Sequence, residues 1–189
     1  MAKAALVLMD LQTGVLNMVK PPESYFQLLK STTAAARAAG LPIIFVKTCF
    51  RPGYPDGNLA NKTVATIRAM GEDLFVCGSD FTEFHPDIPA REKTDAVVTK
   101  RRISALSGTD LEVVLKSLGV SNIVLVGVLT SGVVLSTVRE AGDLDYVITV
   151  LEDLCLDVDA EVQDVLMKKI FPLQADVVTA EKFVEGLNA

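Results

Sequence analysis

Unbroken apolar runs recur along this chain, each followed by a turn, a loop or a stretch of helical period. They cover residues 4–9, 43–46, 96–99, 123–128, 146–151 and 176–178. Each is too short for a helix, and none alternates with polar residues as a strand wetted on one face would. A parallel sheet covered by helices on both faces requires such runs, because both sides of every strand are then buried. Between them, residues 23–39 read as a helix, with Tyr25, Leu28, Leu29, Ala35 and Ala39 on one face and Gly40 as its stop. Helical period returns over 62–70, 132–141 (stopped by Gly142), 159–170 and from Thr179. The capping-box signature Thr109-Asp-Leu-Glu112 opens another helix, with Leu111, Val114, Leu115 and Leu118 inward and Gly119 after it. Residues up to Pro21-Pro22 read as a turn, and 49–93 as a long, turn-rich stretch of the kind that is usually functional. The alternation of six strand candidates with helices predicts one doubly wound α/β domain with a mostly parallel sheet.

Composition narrows the function classes. Half of the 189 residues are hydrophobic and the mean hydropathy is +0.37, too apolar for a disordered chain. No run approaches the roughly 18 apolar residues of a spanning helix. The run at 4–9 is shorter than the roughly 7–15 residues of a secretory core and reads as a first strand. A net charge of −6 and a pI near 4.8 offer nothing to nucleic acid or an anionic membrane. Cys49, Cys77 and Cys155 are odd in number and widely spaced, so neither a disulfide framework nor a zinc ribbon is expected, and a reducing cytoplasm is the default. The expected partners are a small-molecule substrate and further copies of the chain, since so apolar a monomer would expose patches.

The single histidine, His85, excludes multi-histidine metal sites and leaves any Ser-His or Cys-His arrangement dependent on one residue. Pro86 follows it, so it reads as an extended loop residue with a structural or substrate-contacting role rather than as a general base. In a doubly wound sheet, ligands bind outside the carboxyl ends of the strands. After the first run come Asp10 and Gln12; after the third, Lys100, Arg101 and Arg102; after the fourth, Val128-Leu-Thr-Ser-Gly-Val133. Singly, these are a turn carboxylate and a solvated basic run; together they aim a carboxylate and an ammonium at one crevice. The glycines of 127–132 do not make a phosphate loop, because Val133 and Val134 stand where Lys and Ser/Thr would have to follow.

The segments Ala5-Leu-Val-Leu-Met-Asp10-Leu-Gln12, Val97-Val-Thr-Lys100-Arg-Arg-Ile-Ser-Ala-Leu-Ser-Gly-Thr-Asp-Leu111, Gly127-Val-Leu-Thr130 and Leu151-Glu-Asp-Leu-Cys155 together resemble the isochorismatase-like, or cysteine hydrolase, family. The resemblance runs along nearly the whole chain. It implies a single three-layer α/β/α, Rossmann-like domain over 1–189 with a mostly parallel six-stranded sheet, and a cis peptide between Val128 and Leu129. It also implies catalytic roles for Asp10 and Lys100, with the family's nucleophilic cysteine falling at Val133. Valine cannot form a covalent intermediate. None of the three cysteines begins that helix, where a thiol would be activated. True isochorismatases in the family cleave a vinyl ether without a thiol, using the Asp as general acid. The resemblance then implies a site of Asp10, Lys100 and position Val133, with Gln12, Arg51, Leu129 and Thr130 as substrate-binding residues and no catalytic metal or cofactor. Thr82-Glu-Phe-His-Pro86 resembles the loop before the lysine strand, where Glu83 is expected to tie down the loop or orient Lys100.

Three readings follow: a cysteine-less hydrolase of a small carboxylated or vinyl-ether substrate, an inactive homologue that binds a small molecule or partner, and an amidohydrolase using activated water or a relocated thiol. Retention of Asp10 with Lys100 favours the first.

Overall fold

The computed structural model describes residues 3–187. The apolar runs become β1 (Lys3–Met9), β2 (Ile43–Thr48), β3 (Ala96–Lys100), β4 (Val120–Val128), β5 (Val147–Leu156) and β6 (Asp176–Val178). They form one sheet in the order β3-β2-β1-β4-β5-β6, and every pairing is parallel. The winding reverses between β1 and β4, which opens a crevice at their carboxyl ends.

Seven helices accompany the strands in the described residues: α1 (Thr13–Val19), α2 (Glu23–Ala38), α3 (Lys62–Met70), α4 (Leu111–Ser117), α5 (Leu135–Asp143), α6 (Ala160–Val165) and α7 (Ala180–Leu187). β1 shows why the runs are continuous. Ala5, Val7 and Met9 join the core with α4, α5 and the turns after α6, while Leu6 and Leu8 join the core with α1, α2 and α7. Residues 5–9 are fully buried, each large side chain contributing about 1.5–3 kcal/mol. A smaller cluster of Phe50, Tyr54, Val64 and Phe75 closes the loop region over the end of β2.

Several local expectations are corrected. The stretch before Pro21 holds α1, whose Gly14 lies against the Phe81 ring; a Cβ there would stand 2.1 Å from Phe81 Cγ. The buried face of α2 is Tyr25, Phe26, Leu29, Thr32, Thr33 and Ala36, while Ala39 is exposed. Thr33 can be buried because its hydroxyl donates to the Leu29 carbonyl at 2.8 Å. The capping box does not close: Thr109 Oγ1 accepts from the Leu111 N–H at 3.1 Å, but Glu112 turns outward to Lys116. Gly142 lies inside α5, and the left-handed turn falls on Asp145 (φ 62°).

The cysteine expectation is also corrected. Cys49 and Cys77, 28 residues apart, form a disulfide, and only Cys155 is free and buried. The loop folds back on itself, with the Phe50 N–H donating to the Phe75 carbonyl and the Cys77 N–H to the Phe50 carbonyl. Wide spacing in sequence therefore hid a close approach, and unpaired thiols no longer argue for a reducing compartment. Among the described residues, no helix is long and apolar enough to cross a membrane.

Candidate active site

Asp10 directly follows β1 in the left-handed region (φ 56°), which Asp tolerates better than most residues. Its N–H donates to the Val46 carbonyl at 2.9 Å, so the turn is anchored to β2. Lys100, the last residue of β3, places Nζ 2.9 Å from Asp10 Oδ2 and donates to the Arg102 carbonyl at 3.1 Å. Thr48, the last residue of β2, donates its hydroxyl to Asp10 Oδ1 at 3.0 Å. Asp10 and Lys100 are 7% and 3% exposed, so the pair is shielded from bulk water. Burial pushes the Asp10 carboxyl above the usual carboxylate range; the Lys100 charge and the bonds from Lys100 and Thr48 pull the other way and do not cancel it. A carboxyl held above its ordinary value is better matched to proton transfer near neutral pH.

Val133, 2% exposed, sits in a π-helical turn over Thr130–Val134 that leads into α5. The Val128–Leu129 peptide before it is cis. Asp10, Lys100, Thr48, Leu129 and Val133 share the lining of one cavity of about 540 Å³. That volume is within the roughly 300–1,000 Å³ of small-molecule sites. The turn-rich 49–93 region supplies another wall through Phe50, Val64, Ile67, Met70 and Phe75. Arg101, Arg102, Ser104 and Ser107 line it from the loop after β3. Among the described lining residues there is no cysteine and no histidine.

Not every expected residue reaches this cavity. Gln12 is fully buried but does not line it, because all its polar capacity toward the core is spent on backbone. Its Oε1 accepts from the Thr48 N–H at 2.7 Å, and its Nε2 donates to the carbonyls of Thr48 at 2.9 Å and Thr82 at 2.7 Å. Arg51 points outward, its side chain 63% exposed and paired with Asp56 at 3.1 Å. Thr130 is fully buried at the start of the turn, outside the lining, and its hydroxyl has no hydrogen-bond partner among the described residues. Glu83 pairs with Lys47 at 3.3 Å rather than orienting Lys100. His85 stacks on Phe26 at 4.9 Å and its Nδ1 accepts from the Asp87 N–H at 3.2 Å, away from the cavity. Thr48 was missed, although it is a polar residue at the end of an apolar run, where the strand-end rule looks for function. Arg102 was noted only as part of a basic run.

A parallel sheet with a buried carboxyl–ammonium pair at its carboxyl edge, under a capping loop region, is the arrangement of an α/β enzyme. The chain belongs to the isochorismatase family: the isochorismatase domain matches residues 4–182. It is 32% identical over 186 residues to the uncharacterized isochorismatase family protein YwoC of Bacillus subtilis, covering 98% of this chain and 95% of that one. A solved isochorismatase family structure from Burkholderia thailandensis superposes with a TM-score of 0.85 at 30% identity, over 99% of this chain and 96% of the other. The ureidoacrylate amidohydrolase RutB of Pseudomonas syringae is 32% identical over 137 residues, 66% of this chain and 55% of its own. Members of the family are hydrolases, and this chain stands among them.

Proposed function

We propose that the protein hydrolyses a small carboxylated or vinyl-ether substrate without a thiol, using Asp10 as general acid and base, Lys100 as its charge partner and water as nucleophile. The observation that carries this reading is the buried Asp10–Lys100 pair at 2.9 Å, lining a cavity that Val133 also lines. With a vinyl ether, protonated Asp10 gives its proton to the terminal vinyl carbon. Water adds to the resulting oxocarbenium carbon and returns a proton to the Asp10 carboxylate. The hemiketal then breaks its bond to the leaving oxygen, giving a carbonyl and an alcohol. Lys100 stabilises Asp10 in its ionised state, and Thr48 keeps the carboxyl aimed.

Hydrolysis of an amide by an activated water is a second reading, favoured by the amidohydrolase relative. The enzyme is taken to be a homo-oligomer that needs no cofactor, nucleic acid or membrane. Exposed Val113, Val147 and Leu173 support self-association.

The test is turnover of a panel of carboxylated vinyl ethers and amides. The expected result is activity that survives iodoacetamide and falls at least about 100-fold in Asp10→Asn. Turnover confined to amides selects the second reading. Activity lost on alkylation of a folded protein, or unchanged in a folded Asp10→Asn, removes the mechanism. Failure of the whole panel with ligands still bound makes the protein an inactive homologue.

A further inference from the structure

The cavity's charged groups are not equally free. Lys100 is committed to Asp10, and Arg101 and Arg51 both fall on Asp56, at 2.7 and 3.1 Å. Arg102 pairs with no carboxylate among the described residues. Its Nη1 donates to two backbone carbonyls, Arg101 at 2.7 Å and Asp56 at 3.0 Å. Those two bonds use the two protons of Nη1 and hold the guanidinium plane. The Nε–Nη2 edge keeps its three protons, and that edge is the fork that accepts a carboxylate through two parallel bonds. Charged lining residues are Lys100, Arg101 and Arg102 against Asp10 and Glu140, so cations are in excess.

The rest of the lining is apolar. Phe50, Val64, Ile67 and Phe75 come from the capping region. Met18, Met70 and Ile103 line the same cavity while 45%, 45% and 40% exposed. Exposed apolar side chains gathered around one cavity mark a surface that a ligand covers. A small polar dicarboxylate would leave them wet and find only one uncommitted cation.

We propose that the site takes a monocarboxylate with an apolar aryl or branched-alkyl body, and that Arg102 is the specificity-determining residue that grips its carboxylate. Only the statement that this ligand is hydrolysed rests on the function proposed above; its recognition does not. The two fail separately in calorimetric titration with 4-phenylbutyrate, its neutral amide 4-phenylbutyramide, and succinate.

Phenylbutyrate is expected to bind at least about tenfold more tightly than the amide, as a charge-assisted bidentate contact would give, and more tightly than succinate, which has no apolar body to cover the lining. Arg102→Gln lowers phenylbutyrate binding to the level of the amide. Arg102→Lys retains part of the preference through its charge but loses the fork. Arg51→Gln, an exposed residue outside the cavity, leaves binding unchanged. For any substrate the panel identifies, Arg102→Gln raises KM and leaves kcat close to wild type. Succinate binding as tightly as phenylbutyrate, or an undiminished preference in Arg102→Gln, overturns the proposal. The expected binding pattern without turnover supports it while removing the hydrolase reading.

Discussion

The side-chain amide of Gln12 closes on both backbone groups of Thr48, accepting from its N–H at 2.7 Å and donating to its carbonyl at 2.9 Å. The Gln12 Nε2 also donates to the Thr82 carbonyl, so one buried residue ties β1 to the end of β2 and to the capping loop. Thr48 in turn orients the Asp10 carboxyl. Gln12→Leu leaves three buried backbone groups without partners. It is expected to cost about 2–4 kcal/mol of stability and to lower kcat more than it changes KM. Urea denaturation and steady-state kinetics check both.

The raised Asp10 pKa has two consequences of known sign. As a general acid Asp10 acts protonated, so the rate is level at low pH and declines as pH rises through its pKa, about tenfold per unit. For stability, a carboxyl that binds its proton more tightly when folded contributes fully below its unfolded value of 3.8 and loses that contribution as pH rises through the folded pKa. The stability of wild type relative to Asp10→Asn is therefore expected to fall across that window. Denaturation midpoints of the two proteins over a pH series measure it.

Val133→Cys is close to conserving volume, so its stability cost is expected to stay under about 1.5 kcal/mol. It sets a thiol in the cavity that Lys100 also lines, and an ammonium there favours the thiolate. Cys155 is fully buried, with its thiol pushed up to about 12 by desolvation. Iodoacetamide is expected to label the introduced thiol rapidly and Cys155 only after unfolding. Mass spectrometry of the labelled peptides distinguishes them.

The Cys49–Cys77 disulfide closes a 28-residue separation that contains α3 and most of the capping wall. Replacing both cysteines by serine is expected to lower stability by about 3–4 kcal/mol on the loop-entropy account. It should also weaken ligand binding, because Phe50 adjoins Cys49 and Phe75 lies close to Cys77 along the chain. Reductant is expected to lower the wild-type Tm and leave the serine variant's unchanged.

How much could be read from the chain alone depends on the range of each interaction. The apolar runs were sufficient for the sheet, because burial on both faces is a local requirement of every strand in it. Asp10 and Lys100 were legible because each directly follows such a run, and strand ends converge on one edge whatever the loop lengths. Short α1 was not legible, since its seven residues depend on packing such as Gly14 against Phe81 more than on a helical pattern of their own. Nor was the choice among arginines. Arg51, Arg101 and Arg102 are alike as residue types, and only the folded position of Asp56 neutralises two of them and leaves the third free. The disulfide belongs with these, because two cysteines meet only where a long loop returns to the sheet edge. Local burial and strand ends are written residue by residue; pairings between distant loops exist only once the chain has closed on itself.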